Sequence, residues 1–276
     1  MNETLKRSIS GAVYILLLIT SIICSAESFF ILFGLFLLIA VFEFCELIQV
    51  NKILPMLLAL LLYGSVTYLA SKKIVLSKNF DYTLLVTTLL ISFRCIYFLF
   101  NEKQQKIDAI SKYIYLLGYI ILPFIIISKI PFGIKGYNPK IIIGIFILIW
   151  TNDTFAYIVG KSIGKHKLYE KISPKKTIEG FLGGIIFALI ASYLIATYYI
   201  EGKQTALNIW YGFALIVGVF GTIGDLIESK FKRIAHVKDS GNIMPGHGGI
   251  LDRLDSVIFV APFIFLFYQL LNFIKF

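Results

Sequence analysis

Long apolar runs recur along the whole chain, separated by short polar stretches, and nine of them are about 20 residues long. They cover about 9–26, 28–50, 53–70, 82–100, 110–128, 140–160, 178–200, 207–227 and 254–275. At 1.5 Å per residue, a helix of that length crosses the ~30 Å hydrocarbon layer of a bilayer. Helices are the form expected there, because each satisfies its own backbone hydrogen bonds without water. The pattern predicts an all-α, polytopic membrane protein of about nine transmembrane helices. The first run follows Lys6 and Arg7 and ends on Cys24-Ser25-Ala26, which looks like a signal-peptide cleavage site. Retention as a first span is the expectation, and the later spans keep their orientation in either case.

Lys and Arg are unevenly shared between the two sets of loops. With the N-terminus inside, 17 fall on the inner side and 8 on the outer, with Arg94 inside a span. The positive-inside rule then places the N-terminus in the cytoplasm and the C-terminus outside. It also puts the two richest loops, after the sixth and eighth runs, together on the cytoplasmic side. A working division is 1–135, transmembrane helices serving as scaffold and oligomer contact, and 136–276, carrying both rich loops.

Composition changes this picture little. Apolar residues make up 58% of the 276 and charged residues 15%, against about 25% in soluble domains. The net charge of +10 fits basic loops on anionic headgroups, and no arginine-rich arm points to a nucleic acid partner. Cys24, Cys45 and Cys95 all lie in apolar runs with no metal-site spacing, and are read as buried, inert thiols. Glu43 and Glu46, one helical step apart near the inner end of the second run, read as an interfacial pair. For Arg94, pairing with an intramembrane acid and reaching a headgroup remain open.

Polar chemistry gathers in two places. Asn152 and Asp153 sit in the sixth run and are costly there unless they bind or pair. Beyond them Ser173, Lys175, Lys176 and Thr177 precede the seventh run, where lysines, hydroxyls and helix amides suit phosphate groups. Thr177 and Glu179 also fit an ordinary helix start. The second place is Gly224 to Ser256. If the eighth helix continues to Arg233, then Asp225, Glu228, Ser229 and Lys232 share one face. Asp252 and Asp255 share a face at the start of the ninth, across the turn of His247, Gly248 and Gly249. Two carboxylate clusters bracketing a glycine turn suit a hard divalent cation with substrate phosphates, and glycines let backbone approach them.

These residues resemble a known family. Ser229, Phe231, Lys232, Arg233, Lys238, Asp239, Gly241, Pro245, His247, Gly248, Gly249, Asp252, Arg253 and Asp255 stand at the spacing of the phosphatidate cytidylyltransferase (CDP-diacylglycerol synthase) signature. Upstream, Asn152 to Thr154, Ser173 to Thr177 and Glu179-Gly180 resemble its second block, and Gly224, Asp225 and Glu228 fit as well. By motif the similarity spans about 150–256. Met244, Phe155 and Lys161 depart from the usual residues; the first two touch packing, and Lys161 keeps charge without arginine's fork.

The resemblance implies that CTP and phosphatidic acid become CDP-diacylglycerol and pyrophosphate, with Mg²⁺ and a monovalent cation such as K⁺, in a homodimer. It further implies a bacterial inner membrane with the active site facing the cytoplasm. Asp225, Asp252 and Asp255 are then the metal candidates. Lys232, Arg233, Lys238 and Arg253 are candidates for nucleotide or lipid phosphate, and Asp239 for metal or for orienting a basic residue. Lys175, Lys176, Ser173 and Thr177 are phosphate candidates, with Asn152 and Asp153 supporting the cavity, and Ser229, His247, Gly248 and Gly249 shaping the site. A transporter would spread polar residues along several spans with repeat symmetry, which this chain lacks. The rival within enzymes is one activating an isoprenoid-type lipid phosphate.

Overall fold

The computed structural model describes residues 3–74, 76–101, 106–133, 136–200 and 204–274. Lys103, Lys135, Lys203 and Lys275, which enter the loop count above, lie outside the described residues. The helices are α1 (Glu3–Cys24), α2 (Ala26–Ile48), α3 (Ile53–Ser71), α4 (Lys78–Phe100), α5 (Ala109–Tyr115), α6 (Leu122–Lys129), α7 (Pro139–Ile163), α8 (Ile178–Leu194), α9 (Gln204–Ile216), α10 (Thr222–Ile234) and α11 (Leu251–Ile274). Two pairs are single rods: a π-helical turn, Leu116–Ile121, joins α5 to α6, and another, Val217–Gly221, joins α9 to α10. A third, Ile195–Tyr199, extends α8. Among the described residues, nine helical stretches are long and apolar enough to cross a membrane.

The starts of these helices follow from local chemistry. Ser25 and Ser28 form a reciprocal capping box for α2. Ser77, Asp108, Asn138 and Thr177 each accept a hydrogen bond from the first turn of α4, α5, α7 and α8. Pro139 opens α7 with its φ already helical. Two small antiparallel ribbons complete the fold: β1 (Phe132–Gly133) with β2 (Gly136–Tyr137), and β3 (Lys167–Tyr169) with β4 (Ser173–Thr177).

The interior is aromatic. Phe231 of α10 has its ring centroid 5.0 Å from Phe44 of α2 and 4.9 Å from Phe98 of α4. Tyr115 and Tyr119 close around it at 5.4 and 5.6 Å. This cluster fixes the rotation of α10, and with it the direction of the polar face carrying Asp225, Glu228, Ser229 and Lys232. Next to Phe231, buried Lys230 donates to the carbonyls of Phe98 and Asn101, so a cation caps the C-terminal end of α4.

Several expectations are revised. The eighth helix does run on to Ile234, and the ninth begins at Leu251, three residues before its apolar run. Cys24 is exposed at the last residue of α1, whereas Cys45 and Cys95 are buried. Arg94 is exposed, and among the described residues it forms no direct ion pair with an acid. It donates to Ser111 Oγ at 2.5 Å, lies over the Tyr115 ring, and meets Asp108 only through Ser111. The two hydrogen bonds from Ser111 hold the Asp108 carboxyl below its ordinary range.

Candidate active site

One end of the bundle collects the polar residues. α7 and α8 meet through glycines: a Cβ at Gly180 would lie 2.5 Å from the Ala156 carbonyl, and one at Gly184 2.7 Å from Asn152 Oδ1. The aromatic ring of Phe155 stacks on Phe187 of α8 at 3.7 Å. α10 and α11 approach as closely, since a Cβ at Gly224 would sit 2.9 Å from the Asp255 carbonyl. Substituting these glycines would push apart the helices that bring the acids together.

The carboxylates pair both along α10 and across to neighbouring elements. Lys232 Nζ bridges Glu228 at 2.5 Å and Asp252 at 2.6 Å, tying α10 to α11. Asp225 receives Ser229 Oγ at 3.2 Å and Lys176 Nζ at 2.7 Å, tying α10 to the end of β4. Asp255 lies in the electrostatic range of both Asp225 and Asp153, and Asp153 in that of Lys176. The group thus holds Asp153, Asp225, Glu228, Asp252 and Asp255 against Lys176 and Lys232.

The loop after α10 is built around Asp252. Its Oδ2 accepts from Ser240 N–H at 2.8 Å, Ser240 Oγ at 2.9 Å and Gly249 N–H at 2.8 Å. Gly248 has φ +85°, and any Cβ there would fall 2.5 Å from the same oxygen. His247 accepts on its carbonyl from Arg253 Nη2 at 2.6 Å and Nε at 3.2 Å, and its Nδ1 lies 2.8 Å from Ser10 Oγ. Partial burial and the guanidiniums of Arg253 and Arg7 hold the His247 imidazole below its ordinary pKa.

Other expected site residues lie outside this group. Arg233 turns away, donating to the carbonyls of Ile172 at 3.4 Å and Val237 at 3.3 Å. Lys175, Lys238 and Asp239 are exposed, with Asp239 beside Gly248. Thr177 is the N-cap of α8, accepting from Gly180 N–H at 3.1 Å, while Ser173 pairs with Tyr169 in the ribbon. Asn152 is buried, donates to Asp153 at 3.2 Å, and leaves its Oδ1 without a partner.

The residue that sequence reasoning missed is Glu43. It does not share an interface with Glu46, which is exposed and bridges Lys52 at 2.6 Å. Glu43 is 1% exposed and accepts from Ile250 N–H at 3.1 Å, Leu251 N–H at 2.8 Å and Ser240 Oγ at 3.2 Å. A carboxylate from α2 therefore satisfies the free amides at the start of α11, where the helix dipole favours negative charge. A buried acid in an apolar run was the available signal.

Among the described residues, no three His, Cys, Asp or Glu side chains stand close enough together to hold a metal ion by themselves. The donor set nevertheless fits Mg²⁺, which takes a few carboxylates and completes its shell with water and substrate phosphates. Five acids face two lysines, and Glu228 Oε1 is buried without a hydrogen-bond partner. Asp225, Asp255 and Asp153 lie within one another's electrostatic range. Asp252 is already committed on both oxygens, to Lys232 and to the loop.

The sequence profile described as "Cytidylyltransferase family" matches residues 5–271. A phosphatidate cytidylyltransferase of Staphylococcus aureus (strain COL) is 53% identical over 119 residues, 42% of this chain and 44% of that protein. One from Bacillus subtilis (strain 168) is 52% identical over 121 residues, 43% of this chain and 44% of that protein. The aligned part therefore spans less than half the length of either relative.

Proposed function

Because this chain belongs to the cytidylyltransferase family, we propose that it transfers the cytidylyl group of CTP to phosphatidic acid. The products are CDP-diacylglycerol, a precursor for phospholipid synthesis, and pyrophosphate. The observation that carries this reading is the cluster of Asp153, Asp225 and Asp255 beside Lys176 and Lys232, at one end of an apolar bundle. Both reactants are anionic, so the site's task is charge neutralisation and alignment.

A phosphate oxygen of the lipid attacks the α-phosphorus of CTP, and the bond from that phosphorus to the bridging oxygen of the β-phosphate breaks. No strong base is required, since the lipid phosphate is already ionised at neutral pH. Asp225, Asp255 and Asp153 would hold Mg²⁺, which when bound would supply positive charge against the triphosphate; a monovalent cation such as K⁺ belongs to the same reading. Lys176 and Lys232 stand between acids, placed to exchange a carboxylate for a phosphate oxygen. Asp252 holds the loop, and Arg253 faces the solvent at its edge. The distribution of Lys and Arg supports a cytoplasmic orientation for this end. A homodimer in a bacterial inner membrane completes the proposal.

The test is direct. Purified protein with Mg²⁺, radiolabelled CTP and phosphatidic acid should yield organic-soluble label and pyrophosphate. EDTA and Asp225→Asn should each abolish it. Stronger labelling of an isoprenoid phosphate than of phosphatidic acid would replace the lipid named here, and undiminished turnover in EDTA would remove the metal.

A further inference from the structure

A groove of about 610 Å³ runs beside the loop that carries Gly248 and Gly249. Ile9, Val13 and Leu17 of α1 form one wall, and Ile243 and Met244 of the loop form the other. Its size falls in the ~300–1,000 Å³ range of small-molecule sites. An apolar trough on a membrane protein is by itself only a place where bilayer chains pack. The notch of about 240 Å³ between α2 and α3 is of that kind, lined by Phe30, Leu35, Leu60 and their neighbours.

The groove beside α1 differs in three respects. Tyr14, 8% exposed, lines it and buries a hydroxyl with no hydrogen-bond partner. A buried unpaired hydroxyl is costly, and a purely hydrocarbon occupant would leave it so. That hydroxyl lies in the electrostatic range of Arg253 and Asp255, so the inner part of the groove borders the acid cluster. Above it, the Arg7 side chain packs on Gly246, where a Cβ would come 2.7 Å from Arg7 Cγ, and Arg253 reaches the His247 carbonyl. Neither arginine has an ion pair among the described residues. Apolar walls, a waiting hydroxyl and two uncompensated guanidiniums together match an amphiphile with an anionic head.

We propose that this groove seats an acyl chain of the lipid phosphate substrate, its phosphate end lying between Arg7 and Arg253 at the Tyr14 hydroxyl. The inference rests on the lipid-phosphate reading above and adds where that lipid lies. Val13, Leu17 and Met244 then govern chain selectivity, and Tyr14 positions the head.

The first experiment needs no turnover. A diazirine-bearing phosphatidic acid, photolysed with the intact protein in micelles, should label residues 9–17 and 243–245. Excess phosphatidic acid should suppress that label, and neutral diacylglycerol should not. Equal suppression by both would show ordinary bilayer packing and overturn the proposal.

The second experiment measures rates. Val13→Trp fills the groove and should raise the KM for dioleoyl phosphatidic acid at least about ten-fold, with the KM for CTP unchanged and a smaller effect on the dihexanoyl lipid. Ile15→Trp, on the exposed opposite side of α1, should behave as the parent. Tyr14→Phe should raise the lipid KM about ten-fold, the scale of one hydrogen bond to a charged group, without lowering thermal stability. Parental lipid KM values in both Val13→Trp and Tyr14→Phe would sink the groove. A parent that labels as described but never consumes CTP would sink the functional reading and leave the groove standing.

Discussion

Replacing Glu43 by Gln tests whether the loop between α10 and α11 depends on a carboxylate from α2. Glu43 accepts three hydrogen bonds, two of them from backbone amides at the start of α11, and is 1% exposed. An amide of the same shape keeps one acceptor oxygen. If that oxygen retains Leu251 N–H and Ser240 Oγ, the new NH₂ faces Ile250 N–H, and one donor meets another. Hydrogen bonds to charged groups contribute about 1.5–3 kcal/mol each, and a stranded buried donor costs about 1–3 kcal/mol. Relief of repulsion from nearby Asp252 offsets part of this. A net loss of about 2 kcal/mol is expected, equivalent to a ~30-fold fall in the ordered loop population. The assay is CDP-diacylglycerol formation at saturating CTP and lipid, run beside thermal unfolding in detergent. Glu46→Gln is the control, because its salt bridge to Lys52 is exposed and worth at most about 1 kcal/mol. A Glu43→Gln protein within two-fold of the parent rate and with the same unfolding temperature would refute the reasoning.

Three further outcomes are expected. Lys232→Met leaves Glu228 and Asp252 without their cation and should cost about 3–5 kcal/mol; adding Glu228→Gln should recover stability but not activity, and an unchanged unfolding temperature in the single variant would contradict this. Gly249→Ala puts a Cβ 2.3 Å from Ser240 Oγ and 2.4 Å from Glu43 Oε2, so activity should drop more than ten-fold, measured against Gly64→Ala, which meets nothing within 4 Å. For His247 the folded protein favours the neutral ring, so below the ordinary 6.5 the unfolded chain binds more protons. Its contribution to stability is full above pH 6.5 and lost as pH falls through the depressed value. An unfolding curve between pH 5 and 7.5 should therefore be shallower in His247→Gln than in the parent.

The spans were legible because each apolar run must cross the same thickness of hydrocarbon, and the structure places a helix in every one. The acids at Asp225, Glu228, Asp252 and Asp255 stood out because charge is scarce in such a chain. Their partners did not. Helical spacing pairs Asp225 with Glu228, but the close approach of α10 to α11 lets Lys232 join Glu228 to Asp252 and leaves Asp225 facing Asp255 and Asp153. Periodicity along one helix carries no information about which neighbour lies across from it. Lys230 was hidden for a related reason: in sequence it resembles a topology-setting lysine, and only the fold brings the end of α4 to it. Glu43 was the hardest to read, since its partners lie 197 to 208 residues further on.

That separation has a consequence for biogenesis. Helices enter the membrane in order as the chain is made, so α2 is in place long before Ile250 and Leu251 leave the ribosome. Contacts so distant in sequence close late, after the entropy of the intervening chain has been lost. A chain with every span inserted but α2 not yet docked on α11 would carry all its acids and lysines and still lack an ordered loop. Docking of α2 on α11, rather than insertion of the last helix, is then the step that orders the loop. A fragment bearing α1 and α2, supplied separately, should restore turnover to a chain that begins after them.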